Sequence, residues 1–273
     1  MTVPTIPAPL SGKTALVTGG SRGIGRGIAL HFASKGITKI AITYTSNLSA
    51  AEAALDDIRQ INPSITAVAI QANLLSQTFA TALIPTVLKE LSTTSIDILV
   101  SNAAFANTDA TGPIASTTKA IFDDLITANA WAPLQLFLAT LPHLPRGGRV
   151  IFISSIASKL ANTDPIICYG VSKAALDSLT RSLAVTFSAV HGITINSVSV
   201  GPTMTDAVRI PLQTGALSQD FIDGLSARAS ADKRIGEVED IAGVVGFLAS
   251  EESRWINGNS VPANGGSMLE IQG

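Results

Sequence analysis

Apolar positions along this chain follow two alternating rhythms. Short runs dense in apolar residues recur at 13–18, 38–44, 65–71, 96–101, 149–154, 193–199 and 259–262. Each is too short for a helix and most are rich in Ile and Val, which predicts strands. Between them, segments near 24–35, 48–61, 75–91, 116–141, 170–190 and 238–250 repeat apolar residues at helical spacing and predict helices. Strand and helix alternating this often require crossover connections, hence a mostly parallel sheet covered on both faces. Right-handed crossovers make it a doubly wound α/β domain. No linker-like change of composition divides residues 1–273, so one domain is expected, preceded by a Pro-rich leader at 1–11 with Pro4, Pro7 and Pro9. The stretch 201–236 breaks the rhythm with Gly201, Pro202, Pro211, Gly215 and Gly224. An irregular insertion past a strand's C-terminal end is where a substrate lid is expected.

Composition narrows the classes of function. A hydrophobic share of 46% with 14% charged residues excludes a disordered chain. A net charge of -2 and the lack of any basic run exclude a nucleic-acid partner. The most apolar long stretch, 130–144, is interrupted by Pro133, Gln135, Pro142 and His143, so no membrane span is expected. The first twelve residues carry no Lys or Arg and no apolar core, unlike a secretory signal, and the terminal Glu-Ile-Gln-Gly matches no retention address. Cys168 is the single cysteine, which suits a reducing compartment and predicts a cytoplasmic protein. It reads as a buried thiol, since no histidine stands near it to activate it. His31, His143 and His191 lack ligand spacing, so no metal is expected, and His191-Gly192 reads as a helix end.

The first chemical signal is "TGGSRGIG" between the first strand and the first helix. Gly19, Gly23 and Gly25 occupy the turn where the backbone must approach both a ligand and the following helix, and the free N–H groups of that helix suit a pyrophosphate. The strict G-x-G-x-x-G spacing fails, because Ile28 stands at its third position; the spacing is T-G-x-x-x-G-x-G. An NAD site of this fold places an acid about 20 residues on, to hold the ribose 2′-hydroxyl. Here no Asp or Glu occurs from Arg26 to Ala51. The second strand ends instead in Tyr44, Thr45, Ser46 and Asn47, with Arg22 in the glycine turn, and hydroxyls plus a guanidinium suit a 2′-phosphate. The expected cofactor is NADP(H).

The second signal is "YGVSK" at the start of the helix near 170–190. Tyr169 and Lys173, four apart, share a helical face, and an ammonium there would stabilise a phenolate. Upstream, Ser154 and Ser155 end a strand at the rim where such sheets bind ligands.

Together, "TGGSRGIG", "SNAA" at 101–104, Asn129, Ser155 and "YGVSK" resemble the short-chain dehydrogenase/reductase family over nearly the whole chain, and "RIGEVEDIAGVVGFLASEESRWINGNSVPANGG" resembles its closing helix and strand. The type is that of NADPH-dependent ketoreductases, similar to fungal polyketide and naphthol reductases. The resemblance implies a Rossmann fold with Tyr169 as proton donor, Ser155 orienting the carbonyl, Lys173 lowering the Tyr169 pKa and binding ribose, and Asn129 holding a relay water. It implies cofactor contacts from Ile24 in the glycine turn, from Asn73 by the adenine with Leu74, from Asn102 and Ala103, and from Gly201, Pro202, Thr203 and Thr205, the last at the carboxamide. Homodimers or homotetramers are implied as well. Three positions depart from the family pattern: "SNAA" replaces Asn-Asn-Ala-Gly, Val200 stands where a Pro precedes Gly201, and Asn264 stands where Asp is frequent.

The expected substrate is a small neutral, largely apolar ketone, of cyclic or polyketide-like kind, reduced to an alcohol. The segments expected to wall its pocket offer Ile156, Leu160, Pro165, Ile166 and Ile167 on one side and Met204, Val208, Ile210, Leu212, Leu217, Phe221 and Ile222 on the other. Charges in 201–236 are mixed in sign, so no cationic cluster awaits a carboxylate. The alternatives are an imine reductase or cofactor-assisted rearrangement enzyme of the same fold, and an NADP-binding regulatory protein without catalysis.

Overall fold

The computed structural model describes residues 8–106 and 112–269. Among them seven strands form one parallel sheet in the order β3-β2-β1-β4-β5-β6-β7. The strands are β1 (Thr14–Val17), β2 (Lys39–Tyr44), β3 (Thr66–Gln71), β4 (Ile98–Ser101), β5 (Arg149–Ser155), β6 (Thr194–Val200) and β7 (Ser260–Ala263). Every run expected from the apolar pattern is a strand, to within two residues at each end, because strands buried on both faces read as short apolar runs. Strand order reverses between β1 and β4, and the crevice beyond their C-terminal ends is the place where such sheets receive ligands.

The helices cover both faces. On one, α1 (Gly23–Ser34), α2 (Leu48–Ile61) and α9 (Val238–Ala249) bury Phe32, Ile58 and Val245 against β1 and β2. On the other, α3 (Phe79–Glu90), α5 (Ala132–Thr140) and α6 (Ile167–His191) close over Leu99, Phe137 and Phe152. α6 ends, as its sequence predicts, at Gly192 in the left-handed region with φ 67°.

Two details go beyond the sequence pattern. The end of the leader expected at 1–11 is packed: Leu10 is 1% exposed in the core beside Phe32 and Ile37, and its N–H bonds to the carbonyl of Lys35 at 3.0 Å. Residues 8–11 thus belong to the fold, since one apolar side chain among prolines suffices to dock them; residues 1–7 lie outside the described residues, as does the terminal 270–273. The single helix expected at 116–141 is three pieces: α4 (Lys119–Ile126), a π turn (Thr127–Trp131) and α5. Pro133 has no N–H to offer the carbonyl of Asn129 four residues back, so the ladder widens there.

The stretch after β6 carries α7 (Asp206–Gln213) and α8 (Gln219–Ser226). Its two ends meet, because Met204 N–H donates to Gly236 at 2.8 Å and Gly236 N–H to Pro202 at 2.9 Å. Beyond this clasp Arg234 bonds the carboxylate of Asp240, whose pKa that bond holds down, and Asp240 in turn accepts from the Glu237 N–H in the capping box that opens α9.

Candidate active site

The β1–α1 turn is held between its neighbours. Thr18 accepts the N–H groups of Asn102 and Ala103, both at 3.0 Å, and Asn102 returns its amide to the Thr18 carbonyl at 2.9 Å. On the other side Gly19 N–H reaches the Thr43 hydroxyl at 3.0 Å. Gly19 and Gly23 have φ of 65° and 53°, which favours glycine at both, and a Cβ on Gly25 would sit 2.3 Å from the Gly19 carbonyl. α1 starts with no acidic residue in its first turn and no side-chain cap from Arg22, so its first N–H groups stay open. Arg22 is exposed at this turn. The sequence did not single out Thr18 or Thr43, although hydroxyls flanking a glycine turn are ready partners for its backbone.

At the end of β2, Tyr44 is half-buried and Thr45, Ser46 and Asn47 are exposed. The Asn47 side-chain oxygen is not free for a ligand: it accepts the Ala50 N–H at 2.9 Å as the N-cap of α2. Thr45 and Asn73 line one cleft of about 390 Å³ beside β3, with Leu74 next along the chain, and Asn73 spends its own oxygen on the Leu75 N–H at 3.0 Å.

A second cleft, of about 240 Å³, collects the remaining chemistry. Ser155, Tyr169 and Lys173 line it together with Ile24, Asn102, Gly201, Thr203 and Thr205. β5 delivers Ser155 at its last residue, where the hydroxyl accepts the Ala157 N–H at 3.2 Å and is joined to the Tyr169 side chain by a hydrogen bond. α6 delivers Tyr169 and Lys173 one turn apart, with the Lys173 ammonium 5.8 Å from the centre of the Tyr169 ring. Lys173 is 3% exposed and donates to the Ile153 carbonyl at 2.8 Å. Pro202 instead lines a cavity of about 290 Å³ behind the 201–236 segment, which holds none of Ser155, Tyr169 and Lys173.

Burial dominates the electrostatics of the pair. It pushes the Tyr169 phenol up to about 12, with the Ser155 hydrogen bond pulling the other way. It draws Lys173 down to about 8, opposed by the charge of Asp177. Desolvation thus favours the neutral form of each group.

The Asn129 side chain is tied up in the fold. Both of its amide hydrogens are committed, to Phe105 carbonyl at 2.9 Å and Ser172 hydroxyl at 3.0 Å, and its oxygen accepts Phe105 N–H at 2.8 Å. The side chain fixes the strand-to-loop exit after β4 and does not line the Ser155 cleft. Next to it, Phe105, Ile121 and Tyr169 pack on Leu125 and on Cys168, a buried free thiol. Among the walls expected from sequence, Leu160, Ile166, Ile210 and Phe221 are exposed, whereas Ile222 is buried and serves packing.

Comparison with known proteins agrees with this arrangement. Residues 19–268 match the family model described as enoyl-(acyl carrier protein) reductase. The short chain dehydrogenase asqE of Emericella nidulans is 49% identical over 262 residues, covering 95% of each chain. The hydroxynaphthalene reductase arp2 of Aspergillus fumigatus is 37% identical, covering 92% of this chain and 90% of that one. Among solved structures, the angucycline C-6 ketoreductase LanV with bound NADP superposes with a TM-score of 0.85 at 32% identity, covering 95% of this chain and 97% of that one.

Proposed function

Since this chain belongs to the short-chain dehydrogenase/reductase family, we propose that it is an NADPH-dependent ketoreductase acting on a neutral, largely apolar ketone of secondary metabolism, cyclic or polyketide-like. The observation that carries the reading is the meeting of Ser155, Tyr169 and Lys173 in one cleft beside the glycine turn. That turn fits a dinucleotide, because the first N–H groups of α1 are uncapped and no acid stands in its first turn. Gly19, Arg22, Gly23, Ile24 and Gly25 would hold the diphosphate. Arg22, Tyr44, Thr45 and Ser46 would receive the 2′-phosphate, with no carboxylate from residue 26 to 51 to repel it. Asn73 and Leu74 would flank the adenine, and Asn102, Ala103 and Gly201 to Thr205 the nicotinamide half.

When bound, NADPH supplies a hydride for the carbonyl carbon. Tyr169 gives its proton to the carbonyl oxygen as negative charge develops there. The Ser155 hydroxyl orients and polarises that oxygen. Lys173 keeps two N–H groups beyond the one given to Ile153; these would bind ribose hydroxyls and stabilise the phenolate left on Tyr169. Any relay through Asn129 would use its backbone carbonyl, which Pro133 leaves without the usual helical partner. The 201–236 segment serves as the substrate lid, and the Phe105, Ile121 and Leu125 cluster supports an apolar substrate.

Among the described residues no helix is long and apolar enough to cross a membrane. We infer a cytoplasmic enzyme, a placement that the single buried thiol suits. Trp131, Leu138, Val171 and Val185 stand exposed along the π turn, α5 and α6, and support pairing of copies into a homodimer or homotetramer.

NADPH oxidation with a panel of bulky neutral ketones, charged keto acids, carrier-bound acyl ketones and imines tests the reading. Neutral ketones should turn over fastest, and Tyr169→Phe should abolish the reaction. A preference for any other class would overturn the substrate assignment.

A further inference from the structure

Lys173 is not alone beneath α6. One helical turn on, Asp177 lies on the same inward face and is 4% exposed. Its carboxylate accepts from the Ser197 hydroxyl at 2.8 Å and lies 2.6 Å from the Ser158 hydroxyl, whose one hydrogen it shares with the Ser155 carbonyl at 2.7 Å, so residues of the turn after β5 and of β6 hold it. β5 and β6 run in register here, Ser154 opposite Ser199, and both of those hydroxyls are buried without a hydrogen-bond partner. One ammonium, one carboxylate and four hydroxyls thus gather between part of α6 and the sheet, next to the apolar packing of Leu176 and Leu183.

An ammonium in such a place loses its proton easily unless a negative charge is near. The neighbouring elements offer little besides Asp177. β6, β7, α5, the π turn and the turn at 156–158 carry no titratable side chain. Arg149, at the far end of β5, is bonded to Glu251, and Asp123 of α4 is paired with exposed Lys119. Asp124, Lys159 and Arg181 are exposed, and Tyr169 is a neutral phenol at ordinary pH. On the opposite face of the sheet Asp240 of α9 is held by Arg234. Asp177 is thus the carboxylate that these elements place on the inward face with Lys173, and its charge opposes the desolvation of that ammonium.

We propose that Asp177 is a positioning residue of the reducing site: anchored by Ser158 and Ser197, its carboxylate keeps Lys173 charged, and so able to serve the cleft, at neutral pH. The consequence for catalysis rests on the role assigned to Lys173 above, but the charge coupling itself is measurable in the cofactor-free protein.

The test is Asp177→Asn, which preserves size and can keep both serines, its carbonyl accepting from one and its amide donating to the other. Side-chain 15N NMR follows the Lys173 ammonium against pH, its signal assigned by its loss in Lys173→Met. Removing the negative charge should lower the Lys173 midpoint by at least about one pH unit, a tenfold change in its charged-to-neutral ratio. The alkaline limb of kcat/KM should move down by the same amount, and Asp177→Glu should return part of the shift. An unchanged midpoint, or a uniform loss of activity with the limb in place, overturns the proposal. Should Asp177→Asn fail to fold, Ser197→Ala, which loosens the grip on the carboxylate, should move the midpoint in the same direction by less; no movement overturns the proposal equally. A protein inactive on every ketone but showing the NMR shift would fail the ketoreductase reading and leave this coupling intact.

Discussion

The helix that carries the Ser155 cleft and the α7–α8 excursion proposed as its lid are built on different terms. α6 buries a row from Cys168 to Ser188 along its 25 residues and is anchored to β5 and β6, whereas α7 buries none of its residues and α8 only Ile222. The first is fixed by the core, so a hydroxyl, a phenol and an ammonium are held in register by packing that serves stability anyway. The other is attached at its ends and free to differ in side chain and position. The contrast implies that chemistry and substrate choice are separable properties of this molecule: damage on the α6 side should appear in kcat, and damage on the α7–α8 side in KM.

The sharpest way to break that contrast is Tyr169→Phe. It should cost roughly 100- to 10,000-fold in kcat, as expected for loss of a general acid, with NADPH affinity by fluorescence titration little changed. If more than a tenth of the rate survived, the fixed part would not be the chemical one. Next in size is stability. Phe152→Ala, under α6, should cost about 3–5 kcal/mol in chemical denaturation, while Phe221→Ala, at a residue 54% exposed on α8, should stay within about 0.5 kcal/mol. Equal costs would mean that the 201–236 segment is as integral as the sheet.

Cofactor choice comes third, and it sharpens the comparison by touching neither part. NADPH should bind at least about tenfold tighter than NADH, about 1.4 kcal/mol, and Tyr44→Asp should reduce that preference by repelling the 2′-phosphate. The smallest effect is expected from Phe221→Ala on catalysis: a several-fold rise in KM for bulky ketones with kcat preserved, measured by initial rates. A fall in kcat without change in KM would place that residue with the chemistry instead.

What the sequence made legible divides along the same line. Central strands buried on both faces are rich in Ile, Val and Leu, so the strands stand out as short apolar runs even where β5 and β6 carry buried serines. The glycine turn and "YGVSK" were equally plain, because local geometry there restricts residue type. Pro133 was visible too, yet apolar periodicity alone runs on through it and hides the break between α4 and α5. Leu10 escaped because one apolar residue among prolines has no period. The inward turn of the Asn129 amide and the capture of the Asn47 oxygen by α2 depend on tertiary neighbours that spacing does not encode. Asp177 is the instructive case: at four residues from Lys173 it has the spacing of an ordinary solvated ion pair, and only the hydroxyls of Ser158 and Ser197 reveal that it is buried.

The clasp between Pro202, Met204 and Gly236 has a consequence for how this protein can change. The excursion leaves and returns at one spot and is tied again where the Ser230 and Ala231 N–H groups donate to Gly265, each at 2.9 Å, so the entropy of closing what lies between these ties rises only with the logarithm of its length. Segments of other lengths and sequences can therefore be spliced between those positions without disturbing β6 or α9. The fold then works as a fixed socket with an exchangeable insert, and a transplanted excursion should carry its donor's ketone preference with it.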